Sequence, residues 1–131
     1  MTKLNGQYYY DSFCPKAAAG DSPAQIAARW APHTPFSATT DATGKVIGTL
    51  TFAPGVVLNV TGSITPATPD LPEGVDLTGT IGPAEYRIRG FFLFSILGAS
   101  PVSGVVVAVR NDLAKQPDGT VGAFSLVPVE G

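Results

Sequence analysis

From Lys45 onward the chain alternates with period two. Val46, Gly48, Leu50 and Phe52 interleave with Lys45, Ile47, Thr49 and Thr51. Beyond a turn at Pro54-Gly55, Val56, Leu58, Val60, Gly62 and Ile64 interleave with Val57, Asn59, Thr61, Ser63 and Thr65. Successive side chains of an extended strand point to opposite faces, so each run predicts a strand with one face in a core and one in water. A third strand sets Val75, Leu77 and Ile81 against Asp76, Thr78 and Thr80. After the turn Gly82-Pro83, Glu85, Arg87 and Arg89 share one face while Tyr86 and Ile88 take the other. Gly90 is expected to separate this strand from Phe91 to Leu97, which is apolar on both faces and therefore covered on both sides. Gly98 to Gly104 reads as a turn region, followed by an inward face of Val105, Val107 and Val109. Pro117-Asp118-Gly119 is a hairpin signal, and a last strand runs from Thr120 to Val129. About seven short strands at this spacing predict an all-β antiparallel sandwich, with a small β-barrel as the alternative.

Residues 1–44 differ. They hold the only Cys, His and Trp and three consecutive tyrosines, Tyr8, Tyr9 and Tyr10. Ser22-Pro23-Ala24-Gln25 carries an N-cap, a proline at the first helical position and a Gln three residues after the cap. This predicts about two helical turns through Trp30, ended by Pro32, with Ile26 and Trp30 docked on a sheet. His33 to Gly44 reads as loop. The expected organisation is one globular unit: an arm over residues 1–44, with its short helix, packed on a β domain over residues 45–131.

Charged residues make up only 14% of the 131, so the exterior must carry many uncharged groups. Such a surface suits self-association or docking on a protein partner. The net charge is −2 and the basic residues are scattered, which argues against nucleic acid. No apolar run approaches the roughly 18 residues that span a bilayer. The N-terminal residues lack a signal-peptide core, and one cysteine forms no intramolecular disulfide, so a cytoplasmic location is the default, with leaderless release left open.

Candidate chemistry is sparse. One histidine, His33, excludes sites with several imidazoles, and no G-x-S-x-G is present. His33 reads as an exposed loop residue and Cys14 as an inert thiol without a base beside it. Asp70, Glu73 and Asp76 do not form a calcium loop and read as solvated charges. Asn59-Val60-Thr61 matches a glycosylation sequon but lies mid-strand. No catalytic residue, metal ligand or cofactor is expected. The ligand-binding candidates are Glu85, Arg87 and Arg89, whose guanidiniums suit a carboxylate or phosphate, with Tyr86, Phe92, Phe94 and Trp30 as apolar or aromatic wall. The tyrosine triplet with Trp30 either stacks on sugar rings or anchors the N-terminal arm.

The segment Val60-Thr61-Gly62-Ser63-Ile64-Thr65-Pro66-Ala67-Thr68, with its proline loop and Leu77-Thr78-Gly79, resembles a family of short bacterial proteins, domain of unknown function 1842. The similarity covers residues 45–130. Pro66 stands where that family has Gln, and Val60 where it has Gly. The resemblance implies a small β domain and supplies no functional residue. The functional expectation is a non-enzymatic binding or assembly domain acting through uncharged sheet faces and loops. The alternative is a barrel of calycin type holding a small apolar ligand, with Phe91, Phe92 and Phe94 lining it and a cyclisation inside as its chemical variant.

Overall fold

Among the described residues, eight strands follow one another around a closed antiparallel barrel, each hydrogen-bonded to its neighbours in sequence, with the last paired to the first. They are β1 (Gly6–Phe13), β2 (Trp30–Thr40), β3 (Lys45–Ala53), β4 (Val56–Thr65), β5 (Gly74–Ile81), β6 (Ala84–Phe92), β7 (Val102–Arg110) and β8 (Thr120–Pro128). The computed structural model describes residues 2–13, 22–24, 30–93, 100–110 and 119–129. The expected all-β class holds, and the architecture is the barrel alternative rather than the seven-stranded sandwich.

The N-terminal residues are not an arm laid on the domain. β1 and β2 are staves of the barrel, and β1 closes it against β8 through Tyr8↔Pro128, Tyr10↔Leu126 and Ser12↔Phe124. His33 to Thr40, read from the sequence as loop, makes up the last eight of the eleven residues of β2. Its alternation, with Thr34, Phe36, Ala38 and Thr40 facing inward, was hidden because Pro32 and Pro35 signal a break. Pro35 is tolerated because the β2–β3 ladder starts only at Phe36↔Leu50, so its missing N–H costs no bond on that side. Trp30, expected to end a helix, opens β2, and the rest of the helix expected beyond Ala24 lies outside the described residues.

The interior fits large residues against small ones across the ladders. Val60 lies between Gly48 and Gly79, Leu77 faces Gly62, and Phe124 faces Gly104. A closed small barrel has little room at its axis, and such pairing fits side chains into the taper. Tyr8, Tyr10, Phe36, Leu50, Leu58, Leu77, Ile88, Phe124 and Leu126 join one continuous buried cluster. Each aliphatic or aromatic side chain so buried contributes about 1.5–3 kcal/mol relative to exposure.

Two expectations about the second half change. Gly90 does not interrupt its strand, since β6 runs through it to Phe92; Phe94 to Leu97 lie outside the described residues. The inward face of β7 is Val102, Gly104, Val106 and Ala108, so Val105 points outward and is 47% exposed. The run is apolar on both faces, and alternation alone could not choose between them. Packing decides it: Val102 and Ala108 are buried, and Gly104 faces the buried Phe124 across the β7–β8 ladder. β7 also begins inside the stretch expected as a turn before Val105.

One end of the barrel is closed by residues 2–5. Leu4 is fully buried; its N–H donates to Thr40 Oγ1 at 2.9 Å, and the Thr40 hydroxyl donates back to the Leu4 carbonyl at 3.0 Å. Asn5 Oδ1 accepts the Thr40 N–H, and Glu73 accepts the Thr2 N–H. At this end the β2–β3 turn is held by Asp41, whose carboxylate accepts bonds from the Thr43 hydroxyl and the Thr43 and Lys45 amides. The Thr43 hydroxyl above all, then these amides, keeps the Asp41 carboxyl below its ordinary range. The opposite end carries the tight turns Pro54-Gly55 and Gly82-Pro83, and Phe52 stands on its rim.

Candidate functional site

The Phe52 end is where inward-facing aromatic side chains reach the edge of the core. On β1, Tyr10 points into the barrel and is 3% exposed. Its ring stacks on Phe124 of β8 at 5.9 Å and meets Phe52 of β3 edge-on at 6.4 Å. Phe52 lies where the β3–β4 ladder shifts register between Thr51 and Ala53; its ring turns onto the buried Tyr10, yet it stays 40% exposed. Tyr86 of β6, and Ile81 and Val106 beside it, are only partly buried against the same core.

Tyr10 also brings a hydroxyl into this apolar setting. Burial pushes it up to about 12, partly opposed by a hydrogen bond with Ser12 and slightly reinforced by Tyr86. Like any tyrosine hydroxyl it is neutral at physiological pH, and can donate as well as accept. Phe52, Ser12 and Tyr86 thus ring this mouth of the barrel, with Tyr10 buried beneath Phe52 and bonded to Ser12. Below it, Leu50, Leu58 and Phe124 fill the barrel.

The sequence candidates divide between two faces and two ends. Glu85, Arg87 and Arg89 do share the outer face of β6. Asp76 on β5 sits between the two arginines, accepting from Arg87 Nη2 at 3.2 Å and Arg89 Nη2 at 3.3 Å. Glu85 lies 3.7 Å from Arg110. These charges address one another across neighbouring strands on the outside of the barrel. Tyr86 and Phe92 face inward but at opposite ends, Tyr86 toward Phe52 and Phe92 beside Val102 near the Leu4 end. Trp30 is placed on β2 by its backbone; Phe94 and Cys14 lie outside the described residues.

His33 is exposed as expected, but on a strand. Its Nδ1–H donates to the Asp11 carboxylate at 3.0 Å, and its ring lies 4.8 Å from that of Tyr9. Of the tyrosine triplet, Tyr8 and Tyr10 are core residues and only Tyr9 is on the outer surface. Among the described residues no three His, Cys, Asp or Glu side chains come together as a metal site. Nor is any helix among them long and apolar enough to cross a membrane.

Sequence reasoning singled out Tyr10 only as one of the tyrosine triplet and missed Ser12; both belong to a strand it did not see. Phe52 was legible as one of the set Val46, Gly48, Leu50 and Phe52, just before the Pro54-Gly55 turn, but nothing in the sequence singled it out as a site residue. Comparison with known protein families, with curated proteins and with solved structures finds no match for this chain.

Proposed function

We propose that this protein is a non-enzymatic binding domain that holds a small, mainly apolar molecule at the Phe52 end of its barrel. The observation that carries this reading is Phe52 itself, a large apolar side chain on a rim, left 40% exposed above a buried Tyr10. Ligand sites in small proteins are typically apolar walls with a few placed polar groups, and the partly exposed Ser12, backed by the buried Tyr10 hydroxyl, supplies such a group. The packing beneath favours a ligand seated in the mouth over one enclosed at the barrel centre. A neutral dye such as Nile red tests it: fluorescence should rise on mixing, and Phe52→Ala should abolish the rise while leaving the fold intact. No enhancement, or enhancement indifferent to Phe52→Ala, overturns the reading.

A second reading, assembly through the sheet exterior, rests on Val105, Val121, Val127 and Tyr9. These exposed apolar residues lie on the adjoining strands β7, β8 and β1. Light scattering decides it: a dimer or larger particle supports assembly, a monomer removes it.

A further inference from the structure

On the outer wall, β1, β2 and β3 carry a groove of about 260 Å³ lined by Gln7, Tyr9, Pro35, Ser37, Thr49 and Thr51. The groove follows from the ladder pattern. β2 and β3 are paired only from Phe36↔Leu50 to Thr40↔Val46, so beyond Pro35 the two strands are unpaired beside Thr51. Val129 forms part of the wall, held by its N–H to the Gln7 carbonyl at 3.0 Å.

The register arranges these side chains as a grid. Gln7 is opposite Ser37, and Ser37 opposite Thr49, giving one row of an amide and two hydroxyls. Two residues along, Tyr9 is opposite Pro35, with Thr51 next to Thr49 on the same face of β3, giving a second row headed by an aromatic and a pyrrolidine ring. Strands lie about 4.8 Å apart and alternate residues about 6.7 Å apart, so the grid measures roughly 7 by 10 Å. No lining residue carries a charge. The volume falls just below the roughly 300–1,000 Å³ of sites for drug-sized ligands, which suits a single small ring.

We propose that this groove is a saccharide site, separate from the Phe52 mouth. A pyranose is neutral, carries hydroxyls around its edge and has an apolar C–H face. The polar row meets the edge, and Tyr9 with Pro35 meets the face. Ser37, Thr49 and Thr51 donate and accept, and the Gln7 amide does both, which matches hydroxyl groups that also do both. Tyr9 is positioned for this by the His33 ring beside it, itself held by Asp11. A carboxylate or phosphate finds no cation here to balance it.

The test is amide chemical-shift mapping of the intact chain with methyl glycosides of glucose, galactose, mannose and N-acetylglucosamine. At least one should shift Gln7, Tyr9, Ser37, Thr49 and Thr51 in a saturable way, with millimolar affinity. Thr49→Val, near-isosteric and on the surface, should weaken binding about tenfold, and Tyr9→Ala at least as much. Ser37→Val provides a second hydroxyl deletion if Tyr9→Ala perturbs β1. Phe52→Ala should leave the sugar shifts unchanged, and Thr49→Val should leave Nile red binding unchanged, so the two sites fail or succeed separately. Absence of shifts with all four glycosides, shifts mapped to the Phe52 mouth, or full affinity in Thr49→Val overturns the proposal.

Discussion

The ring of Phe124 occupies the space where Gly90 would carry a side chain: a Cβ at Gly90 would lie 2.8 Å from Phe124 Cζ. The two are two strands apart, linked through Gly104, which is in register with both. The aromatic ring thus lies over a pair of glycines, filling the gap they leave and relying on their bareness.

Gly104→Ala should be the most damaging single methyl that can be added to this wall. The new Cβ would fall 2.0 Å from the Arg89 carbonyl oxygen and 2.5 Å from the Gly90 Cα, both backbone, so strands β6 and β7 must part. A loss of about 3 kcal/mol or more by urea denaturation is expected. Gly90→Ala meets Phe124 as well as backbone, so combining it with Phe124→Leu should recover part of its loss in a double-mutant cycle. Additivity would show that the ring and the glycine are not coupled.

Tyr10 makes stability fall at alkaline pH. Its hydroxyl titrates near 10 when the chain is unfolded and at about 12 when folded, so the unfolded chain loses this proton first. The contribution is fully present below pH 10 and is lost as pH rises through 12, by up to about 2–3 kcal/mol, since one unit is worth about 1.4 kcal/mol. Tyr8, also raised by burial, acts in the same sense. Tyr10→Phe should flatten the decline of denaturation midpoint over this window. An unchanged slope would place the loss elsewhere.

Thr40→Val keeps the shape of a buried side chain but removes both bonds that hold Leu4. It should cost about 1–3 kcal/mol, the penalty for stranding a buried backbone group, unless residues 2–5 detach and meet water instead. Hydrogen exchange distinguishes these outcomes. Fast exchange confined to the Leu4 amide region reports detachment, with the rest of the barrel still protected.

Asp76→Asn should change stability by less than about 1 kcal/mol despite removing a carboxylate bonded to two arginines. All three groups face solvent, where ion pairs contribute little and salt screens them. The difference from the parent protein should shrink further as salt is added; a large, salt-insensitive loss would mean that Arg87 and Arg89 are organising more than the surface.

Much of this architecture was legible from residue order. The alternation of β3, β4 and β5 named their inward residues correctly, because one face of each is polar and the period-two rhythm is unambiguous. Pro54-Gly55 and Gly82-Pro83 were read as turns for the right reason, since Gly55 and Gly82 have φ of +78° and +52°. β7 was misread because valines occupy both faces and only packing into the barrel core selects one. β2 was missed because its prolines signal a break, whereas its ladder needs no N–H from Pro35 toward β3. The mouth was half visible: Phe52 could be placed, but Tyr10 takes its meaning from closure of β1 on β8, which no local pattern announces.

That closing ladder joins segments more than a hundred residues apart in the chain, as in Tyr8↔Pro128. While β8 is still missing during synthesis, β1 and β7 each present a bare row of amides and carbonyls to any passing strand. The half-made molecule is therefore at its most adhesive just before it is finished, and fragments ending short of β8 belong among aggregates rather than among smaller folded versions of this protein.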